Sequence, residues 1–375
     1  MARKLRLGLI SSWVSRSGSG VYEAVVRQAL AMRGTGEIEP AVFGLEDEHS
    51  AADAGRLDGI PLTTRAIKGP RFFGFAPGLV EAMQEADLDV LHLHGIWMYP
   101  SRAAERWSRA TGKPVVISPH GMLDPWILSR GRWKKALARS LYERQSWKRA
   151  ALFHALTETE AADIRKAAPG ASVKVIANGV TAPAGTAPDR RSTFVFLSRI
   201  HPKKNAVALV KAWASLGTEA RARGYGLAIA GFGDAEHVAE LEAAIAAAGE
   251  PSIRFLGPVF GAEKDRLLLS ARYVALPSFS EGLPMAILEA WAAGAGTIMS
   301  SECNLPIGYE RGAAIASGHD VETIAAALRT AFEEDDAAWS RRSAAALALA
   351  AERFSPDAIT QEWTSTYAAL AAKSV

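Results

Sequence analysis

Residues 273–290 read YVALPSFSEGLPMAILEA, a short apolar run joined to a helix-forming run by a polar loop. Residues 273–276 predict a buried strand, and the segment from about residue 284 predicts a helix. Proline suits the first turn of a helix, because its missing N–H has no intrahelical partner there. A strand, a loop and a helix in this order are the repeating unit of a parallel α/β sheet.

The same alternation runs along most of the chain. The other predicted strands are 5–11, 90–94, 114–118, 152–155, 173–176, 193–198, 226–230, 253–256 and 297–300, and the other predicted helices include 22–33 and segments from about 206 and 235. A Pro/Ala/Gly-rich linker at 182–188 separates two such series. We therefore predict an α/β protein with two doubly wound, Rossmann-like domains, 1–183 and 184–355, and a ligand site at the carboxyl ends of the strands.

Composition narrows the class of protein. The 375 residues are 49% hydrophobic and 22% charged, which excludes a disordered, collagen-like or coiled-coil chain. The single cysteine excludes an internal disulfide and a multi-cysteine metal site, and favours a cytoplasmic location. No run of 18 uncharged apolar residues predicts a membrane-spanning helix. Residues 1–10 resemble a signal peptide, but Arg6 interrupts their apolar run, so we interpret them as leading into a strand.

Four loops could bind a ligand. Gly18 and Gly20 precede a predicted helix, whose N-terminal N–H groups could meet a phosphate; Glu23 occupies the third glycine position, which disfavours a nicotinamide-type site. The loop 197–205 carries several cations after a strand, including Arg199 and Lys204, which suit a diphosphate. The other candidates are Gly231 with Gly233, and Glu281 with Glu289, two carboxylates that could accept hydrogen bonds from sugar or ribose hydroxyls.

Two His-Gly pairs follow strands in the first half of the chain. His94 and His120 could transfer protons near neutral pH, or they could be structural. Trp97 and Asp124 follow them, and Asp124 could be a base or a turn cap. The Asp-x-Asp at 87–89 precedes its strand, on the wrong side of the sheet for a metal site.

These motifs together resemble the retaining glycosyltransferases of family 4, over nearly the whole chain and most densely from 194 to 294. The resemblance implies the GT-B fold, with two domains facing across a cleft and a C-terminal helix, about 356–375, packed back on the first domain. The chain departs from the family pattern at Leu197-Ser-Arg199 and at Asn205, which stands where a glycine is common. We expect both departures to be tolerated. The stretches 120–126 and 300–310 are similar to bacterial members that build surface polysaccharides.

The resemblance also implies a role for each motif. Arg199 and Lys204 would hold the donor diphosphate, and Glu289 the ribose. Glu281, with the backbone of Gly282, Leu283 and Pro284, would hold the donor sugar, and His120 would contact that sugar. The remaining motif residues are Gly18, Gly20, Gly231 and Gly233 on the donor side and His94, Trp97 and Asp124 on the acceptor side. No metal or other cofactor is expected, and transfer would be front-face, with retention of configuration.

Residues 126–149 carry eight basic residues and one acidic residue. Trp133, Leu137 and Leu141 repeat at helical spacing, with Trp126 and Trp147 at either end. Two interpretations remain open: a helix peripheral to an anionic membrane, at the inner face of the cell membrane, or a helix whose apolar stripe packs on the first domain.

A nucleic-acid partner is not expected, since no binding module is visible. A nucleotide-sugar epimerase and a non-catalytic sugar-binding scaffold remain the alternative functions.

Overall fold

The computed structural model describes residues 3–124, 128, 132–188 and 191–373. The chain divides into two compact units, each described by itself. Unit 1 contains the residues up to Ala177 together with the C-terminal segment from Ile359, and unit 2 contains Asn178–Ala358.

Unit 1 is built on a parallel sheet. Its strands are β1 (Leu5–Trp13), β2 (Ile38–Leu45), β3 (Leu62–Arg65), β4 (Val90–His94), β5 (Val115–Ser118), β6 (Leu152–Ala155) and β7 (Val173–Val175). They lie in the order β3-β2-β1-β4-β5-β6-β7, and every neighbouring pair is parallel. The order reverses between β1 and β4, so the loops after these two strands open at one carboxyl edge.

Helices cover both faces of this sheet. They are α1 (Ser19–Gly34), α2 (Ser50–Asp53), α3 (Leu79–Glu85), α4 (Tyr99–Thr111), α5 (Arg132–Ala138), α6 (Arg144–Arg149) and α7 (Glu158–Ala167), with a π-helical turn at Arg139–Glu143. One apolar core gathers around Trp107, and the other around Tyr22. Trp363 and Tyr367 join the second core, so the C-terminal helix α16 (Pro356–Ala372) is part of unit 1 from Ile359 onward.

Unit 2 repeats this architecture. Its strands are β8 (Thr193–Leu197), β9 (Gly226–Ala230), β10 (Ile253–Gly257), β11 (Ala271–Leu276), β12 (Gly296–Met299) and β13 (Ala314–Ala316). The parallel order is β10-β9-β8-β11-β12-β13, which reverses between β8 and β11. Its helices are α8 (Ala206–Ser215), α9 (Gly217–Ala222), α10 (Ala235–Ala248), α11 (Gly261–Ser270), α12 (Met285–Ala292), α13 (Pro306–Glu310), α14 (Val321–Glu333) and α15 (Asp336–Arg353).

The predicted fold class is confirmed. The predicted strands 90–94, 152–155 and 226–230 match to the residue. Three strands were not predicted: β2 carries Pro40 and Gly44, which weaken a strand pattern, and β3 and β13 are very short.

Candidate functional site

A cleft of about 300 Å³ lies in unit 2, at the edge where the strand order reverses. The loop after β8 contributes Arg199 and Lys204, and the loop after β11 contributes Glu281. Parallel strands place their following loops at one edge, so residues about 80 positions apart in sequence meet there. Further lining residues come from the segments after β9 and β10 and from the first turns of α12: Gly231, Phe232, Val259, Phe260, Lys264, Leu283, Pro284, Met285, Ala286 and Glu289.

Lys204 and Glu281 form an ion pair in this cleft. The Lys204 Nζ donates to Glu281 Oε2 at 2.5 Å, and Ser278 Oγ donates to Oε1 at 2.8 Å. Asn304 Nδ2 donates to the Glu281 backbone carbonyl at 2.7 Å. The Glu281 side chain is only 7% exposed, and a buried carboxylate is stable only when paired and hydrogen-bonded. The contacts hold both side chains in one orientation at the cleft.

The loop that carries Lys204 depends on Asn205. Asn205 has a φ of 62°, in the left-handed region that glycine and asparagine enter most easily. Its Nδ2 donates to the Pro277 carbonyl at 3.2 Å and to the His319 carbonyl at 2.7 Å. Asparagine therefore adopts the backbone conformation expected of a glycine here, and ties the loop after β8 to the loop after β11.

Glu289 lies in α12, two turns beyond Glu281. Its Oε1 accepts a hydrogen bond from Lys264 Nζ at 2.9 Å, and the side chain is 22% exposed. Lys264, which the sequence analysis missed, comes from α11 and lines the same cleft. Arg199 also lines the cleft and is exposed. The cleft thus combines three cations with two carboxylates.

The two glycines after β9 are required by packing. A Cβ on Gly231 would lie 1.9 Å from the Ser198 carbonyl oxygen, and a Cβ on Gly233 would lie 2.1 Å from that of Ile200. These glycines let the loops after β8 and β9 touch backbone to backbone. Gly231 lines the cleft. Between the two glycines, Phe232 is 57% exposed, and its ring lies 6.4 Å from that of Phe260.

The turn before α12 supplies backbone rather than side chains. Gly282 has no protein atom within 4 Å of the position of a Cβ. Leu283 and Pro284 line the cleft. Pro284 caps α12 and has no N–H, so only Gly282 and Leu283 of this turn can donate a backbone hydrogen bond.

In unit 1, His94 and His120 lie together, as neighbouring strand ends should. The Nδ1 of His94 is 3.0 Å from Nε2 of His120, and the rings stack at 5.2 Å. Burial lowers the pKa of both, that of His120 to about 3, so both are neutral at pH 7. His94 Nε2 is buried without a hydrogen-bond partner. His120 has a φ of 53°, in the left-handed region that few residues other than glycine adopt.

Beside this pair, a buried hydrogen-bond chain links the sheet to α16. His154 Nε2 must donate to the Ile176 carbonyl at 2.7 Å, so its Nδ1 accepts from Ser118 Oγ at 2.6 Å. Ser118 then accepts from His92 Nε2 at 2.6 Å, and His92 Nδ1 accepts from the Tyr367 hydroxyl at 2.7 Å. The Ile176 carbonyl can only accept, and this sets the donor and acceptor of every hydrogen bond in the chain. In each of His92 and His154 one ring nitrogen donates and the other accepts, so both histidines are neutral.

Trp97 is held by the π-helical turn. Its N–H donates to Glu143 Oε1 at 2.5 Å, and its carbonyl accepts from the Tyr142 hydroxyl at 2.8 Å. These contacts fix a φ of 81° at Trp97. Glu143 is fully buried, and this burial raises its pKa to about 7. Asp124 ends a turn in which its N–H donates to the Gly121 carbonyl at 3.0 Å.

The loop before α1 is held by its own acidic neighbours. Arg16 Nη2 donates to Asp53 Oδ1 at 2.6 Å, and Ser15 Oγ donates to Asp47 Oδ2 at 2.7 Å. A Cβ on Gly18 would lie 2.5 Å from the Trp13 carbonyl oxygen, so packing alone requires this glycine. Gly20 is exposed with open space around it.

The described apolar residues of the basic segment 126–149 divide into buried and exposed ones. Trp147 is buried and packs on Trp97, which fits packing on the domain. Trp133, Leu137 and Leu141 are 70%, 53% and 62% exposed, so the interpretation in which this stripe packs on the domain does not hold for these three residues. Trp126 lies outside the described residues.

Comparison with known proteins identifies the family. A model described as "Glycosyl transferase 4-like domain" matches residues 19–179, and one described as "Glycosyl transferases group 1" matches 191–334. The chain belongs to the group 1 glycosyltransferases. Its resemblance to family 4 is thereby confirmed, and the second match contains Arg199, Lys204, Glu281 and Glu289.

Two relatives and one solved structure illustrate the relationship. The chain is 30% identical to the O-antigen chain mannosyltransferase B of Escherichia coli over 46% of its own length and 45% of that protein. It is 26% identical to the D-inositol 3-phosphate glycosyltransferase of Jonesia denitrificans over 88% of its own length and 86% of that protein. The structure of the Anabaena protein HepE in complex with UDP superposes on this chain with a TM-score of 0.77 at 19% identity. The superposition covers 97% of this chain and 100% of HepE, which supports the GT-B fold.

In the described residues of this glycosyltransferase, no helix is long and apolar enough to cross a membrane.

Proposed function

We propose that this glycosyltransferase moves a sugar from a UDP- or GDP-linked donor to a growing, lipid-linked glycan in bacterial surface polysaccharide synthesis, with retention of configuration. The observation that carries the proposal is the unit 2 cleft, where Arg199, Lys204 and Lys264 surround Glu281 and Glu289. Cations suit a diphosphate, and carboxylates suit vicinal hydroxyls. The surface polysaccharide role is supported by the relationship to the O-antigen mannosyltransferase.

We infer a role for each charged group of the cleft. Arg199 and Lys204 would bind the diphosphate and offset the negative charge that develops as the nucleotide leaves. Glu289 would accept hydrogen bonds from the ribose hydroxyls in exchange for part of its contact with Lys264. Glu281 would bind the sugar hydroxyls, already oriented by Lys204 and Ser278.

Front-face transfer fits the chemistry of these groups. The bond from the anomeric carbon to the acceptor oxygen forms on the face from which the phosphate oxygen departs. The acceptor's proton passes to that phosphate oxygen, so no protein base is required. His120 of unit 1, neutral at pH 7, would hydrogen-bond the donor sugar, and His94, Trp97 and Asp124 would lie on the acceptor side.

Nucleotide release tests the proposal. The protein is incubated with a panel of UDP- and GDP-sugars, and free nucleotide and sugar are measured, with the first-formed anomer identified by NMR. Slow hydrolysis of one nucleotide family, giving the anomer of the donor, supports a retaining transferase. Inversion would contradict retention. Conversion of the donor into another sugar nucleotide would indicate an epimerase, and binding without any turnover would indicate a scaffold.

The acceptor side includes a membrane contact. Segment 126–149 carries a net charge of +7, and its described apolar residues 133, 137 and 141 are exposed. Basic residues near an anionic bilayer each contribute about 1 kcal/mol of binding. We assign this segment to peripheral contact with the membrane that would hold a lipid-linked acceptor.

A further inference from the structure

The buried histidine cluster of unit 1 contains one nitrogen without a partner. His94 is 2% exposed, and its Nε2 forms no hydrogen bond with any described residue. Its other ring nitrogen, Nδ1, lies 3.0 Å from Nε2 of His120. A covered nitrogen without a partner limits where the protons of these two rings can lie.

The contact between the two rings is a hydrogen bond. Their planes are within 22° of parallel, and their centres are 5.2 Å apart. With His94 Nδ1 and His120 Nε2 separated by 3.0 Å, the centres are this far apart only if the two nitrogens point toward each other. Both rings are neutral at pH 7, because burial lowers their pKa. Each ring therefore carries one proton, and one ring donates while the other accepts.

The unpartnered nitrogen sets the direction of this bond. If His120 donated, the proton of His94 would lie on Nε2, as a buried N–H without an acceptor among the described residues. Buried N–H groups without an acceptor are rarer in proteins than buried acceptors with an unused lone pair. His94 therefore carries its proton on Nδ1 and donates it to His120 Nε2. The proton of His120 then lies on Nδ1.

His94 is itself held in place by the neighbouring hydrogen-bond chain. It ends β4, and its ring packs on that of His92, with 4.1 Å between the ring centres. Both nitrogens of His92 are hydrogen-bonded, one to Ser118 and the other to Tyr367. The His94 ring thus lies against a fixed neighbour, and it imposes a tautomer on His120 instead of adapting to it.

The backbone that carries His120 is also fixed. His120 and Gly121 both have positive φ values, 53° and 74°. The carboxylate of Glu160, in α7, accepts from the Gly121 N–H at 2.6 Å and from the Leu156 N–H at 2.8 Å. It thereby ties the His120 loop to the end of β6. His120 is mostly buried but partly exposed, so a ligand can reach it.

We propose that His94 is a positioning residue, which keeps His120 in the tautomer that presents an Nδ1–H donor. This inference rests on the proposed function, in which His120 meets the donor sugar. A fixed N–H donor selects a sugar that has an oxygen at that point. The Nδ1 already carries a proton, so it cannot accept another, in agreement with a transfer in which the leaving phosphate takes the proton. His94 acts on the reaction without touching the donor sugar.

Nitrogen NMR of the full chain tests the tautomer. With ¹⁵N-labelled histidine at pH 7.5, correlations between the ring nitrogens and the carbon-bound ring protons show which nitrogen is protonated, and His120→Asn assigns the His120 signals. We expect wild-type His120 to be protonated on Nδ1, and His94→Leu to raise the share protonated on Nε2. Tyr367→Phe is the control, because it removes a hydrogen bond from His92 and should leave the His120 tautomer unchanged.

Turnover of the sugar donor separates positioning from a structural role. His94→Leu should lower kcat/KM for nucleotide release about tenfold. His94→Asn should recover most of this loss, since its amide can donate to His120 Nε2 as Nδ1 does. Asparagine and aspartate both tolerate the left-handed backbone at position 120, but only asparagine has a donor. His120→Asp should therefore be about tenfold less active than His120→Asn.

Three outcomes would overturn the proposal. Wild-type His120 protonated on Nε2 would reverse the direction of the bond. An unchanged His120 tautomer in His94→Leu, or equal turnover by His94→Leu and His94→Asn, would leave His94 with a structural role only. His120→Asp more active than His120→Asn would make His120 an acceptor. The NMR measurement needs no donor, so failure of the proposed function, seen as no turnover by wild type, is distinguished from failure of this inference.

Discussion

Lys204 and Glu281 meet at 2.5 Å in the unit 2 cleft, although 76 residues separate them in the chain. Glu281 is nearly buried, and Lys204 is its cationic partner. In the proposed function, this pair would couple the cation that binds the diphosphate to the carboxylate that binds the sugar. A diphosphate that attracted Lys204 would free Glu281 Oε2 for a sugar hydroxyl.

Variants at this pair should separate binding from turnover. Lys204→Met should weaken UDP or GDP binding about tenfold, and should lower stability by about 1–3 kcal/mol because Glu281 loses its partner. Glu281→Gln should keep nucleotide binding within a fewfold and reduce nucleotide release from the sugar donor about a hundredfold. Calorimetric titration and donor turnover measure the two effects. Equal loss of nucleotide binding in both variants would contradict these roles.

Glycines around the cleft should divide into two classes. Gly231→Ala should lower stability by about 2 kcal/mol or more, because its Cβ would collide with the Ser198 carbonyl. Gly282→Ala meets no protein atom, so it should leave the melting temperature unchanged. If the donor sugar packs on Gly282, this variant should still lose sugar-donor affinity more than nucleotide affinity. A destabilised Gly282→Ala, measured by thermal unfolding, would refute the assignment.

The histidine cluster of unit 1 should make the protein sensitive to acid. Burial lowers the pKa of His154 to about 4 and of His120 to about 3, and keeps that of His92 low. The unfolded chain takes up these protons below its ordinary histidine pKa of about 6.5. The neutral histidines therefore stabilise the folded protein fully above pH 6.5. As the pH decreases below this value, the free energy of unfolding falls by roughly 1.4 kcal/mol per pH unit for each histidine.

Urea unfolding at pH 7.5 and at pH 5 measures this dependence. Tyr367→Phe should lower stability at both pH values, since His92 Nδ1 loses the hydroxyl donor at 2.7 Å and keeps only Gln28 Nε2 at 3.4 Å. A stability that does not change between the two pH values would contradict the neutral hydrogen-bond chain.

Glu143 should show the opposite dependence on pH. With a pKa raised to about 7, the folded protein keeps a proton that the unfolded chain releases above pH 4.5. The stabilisation that protonated Glu143 gives the folded protein is fully present below pH 4.5 and is lost as the pH rises through 7. Glu143→Gln keeps an acceptor for the Trp97 N–H. Its free energy of unfolding, measured relative to wild type, should therefore be about 2–3 kcal/mol more favourable at pH 8 than at pH 4.5. A difference independent of pH would show that Glu143 is ionised in the folded protein.

Sequence patterns predicted what depends on strand order. His94 ends β4 and His120 follows the adjacent parallel strand β5, so their contact follows from topology. The contact between the loops that carry Lys204 and Glu281 follows in the same way. Contacts of helical side chains could not be predicted in this way. Lys264 reaches Glu289 from another helix, and Tyr367 reaches His92 across 275 residues.

The exposed apolar residues of segment 126–149 show a second limit of prediction from sequence. The spacing of Trp133, Leu137 and Leu141 is the same whether their face packs on a core or meets a bilayer. Only the exposed fractions in the folded unit distinguish the two cases. Phe72 likewise lies in a stretch with several aromatic residues, of which Phe73 packs inward and Phe72 does not.

Calorimetric titration of UDP and GDP tests the central claim, a nucleotide-sugar donor site in unit 2. The titrations use wild type, Glu289→Gln and the matched control Glu263→Gln, an exposed glutamate beside Lys264. We predict that one nucleotide binds wild type and the control equally, and binds Glu289→Gln at least about tenfold more weakly. Equal binding by all three, or no binding of either nucleotide, would contradict the assignment of this cleft.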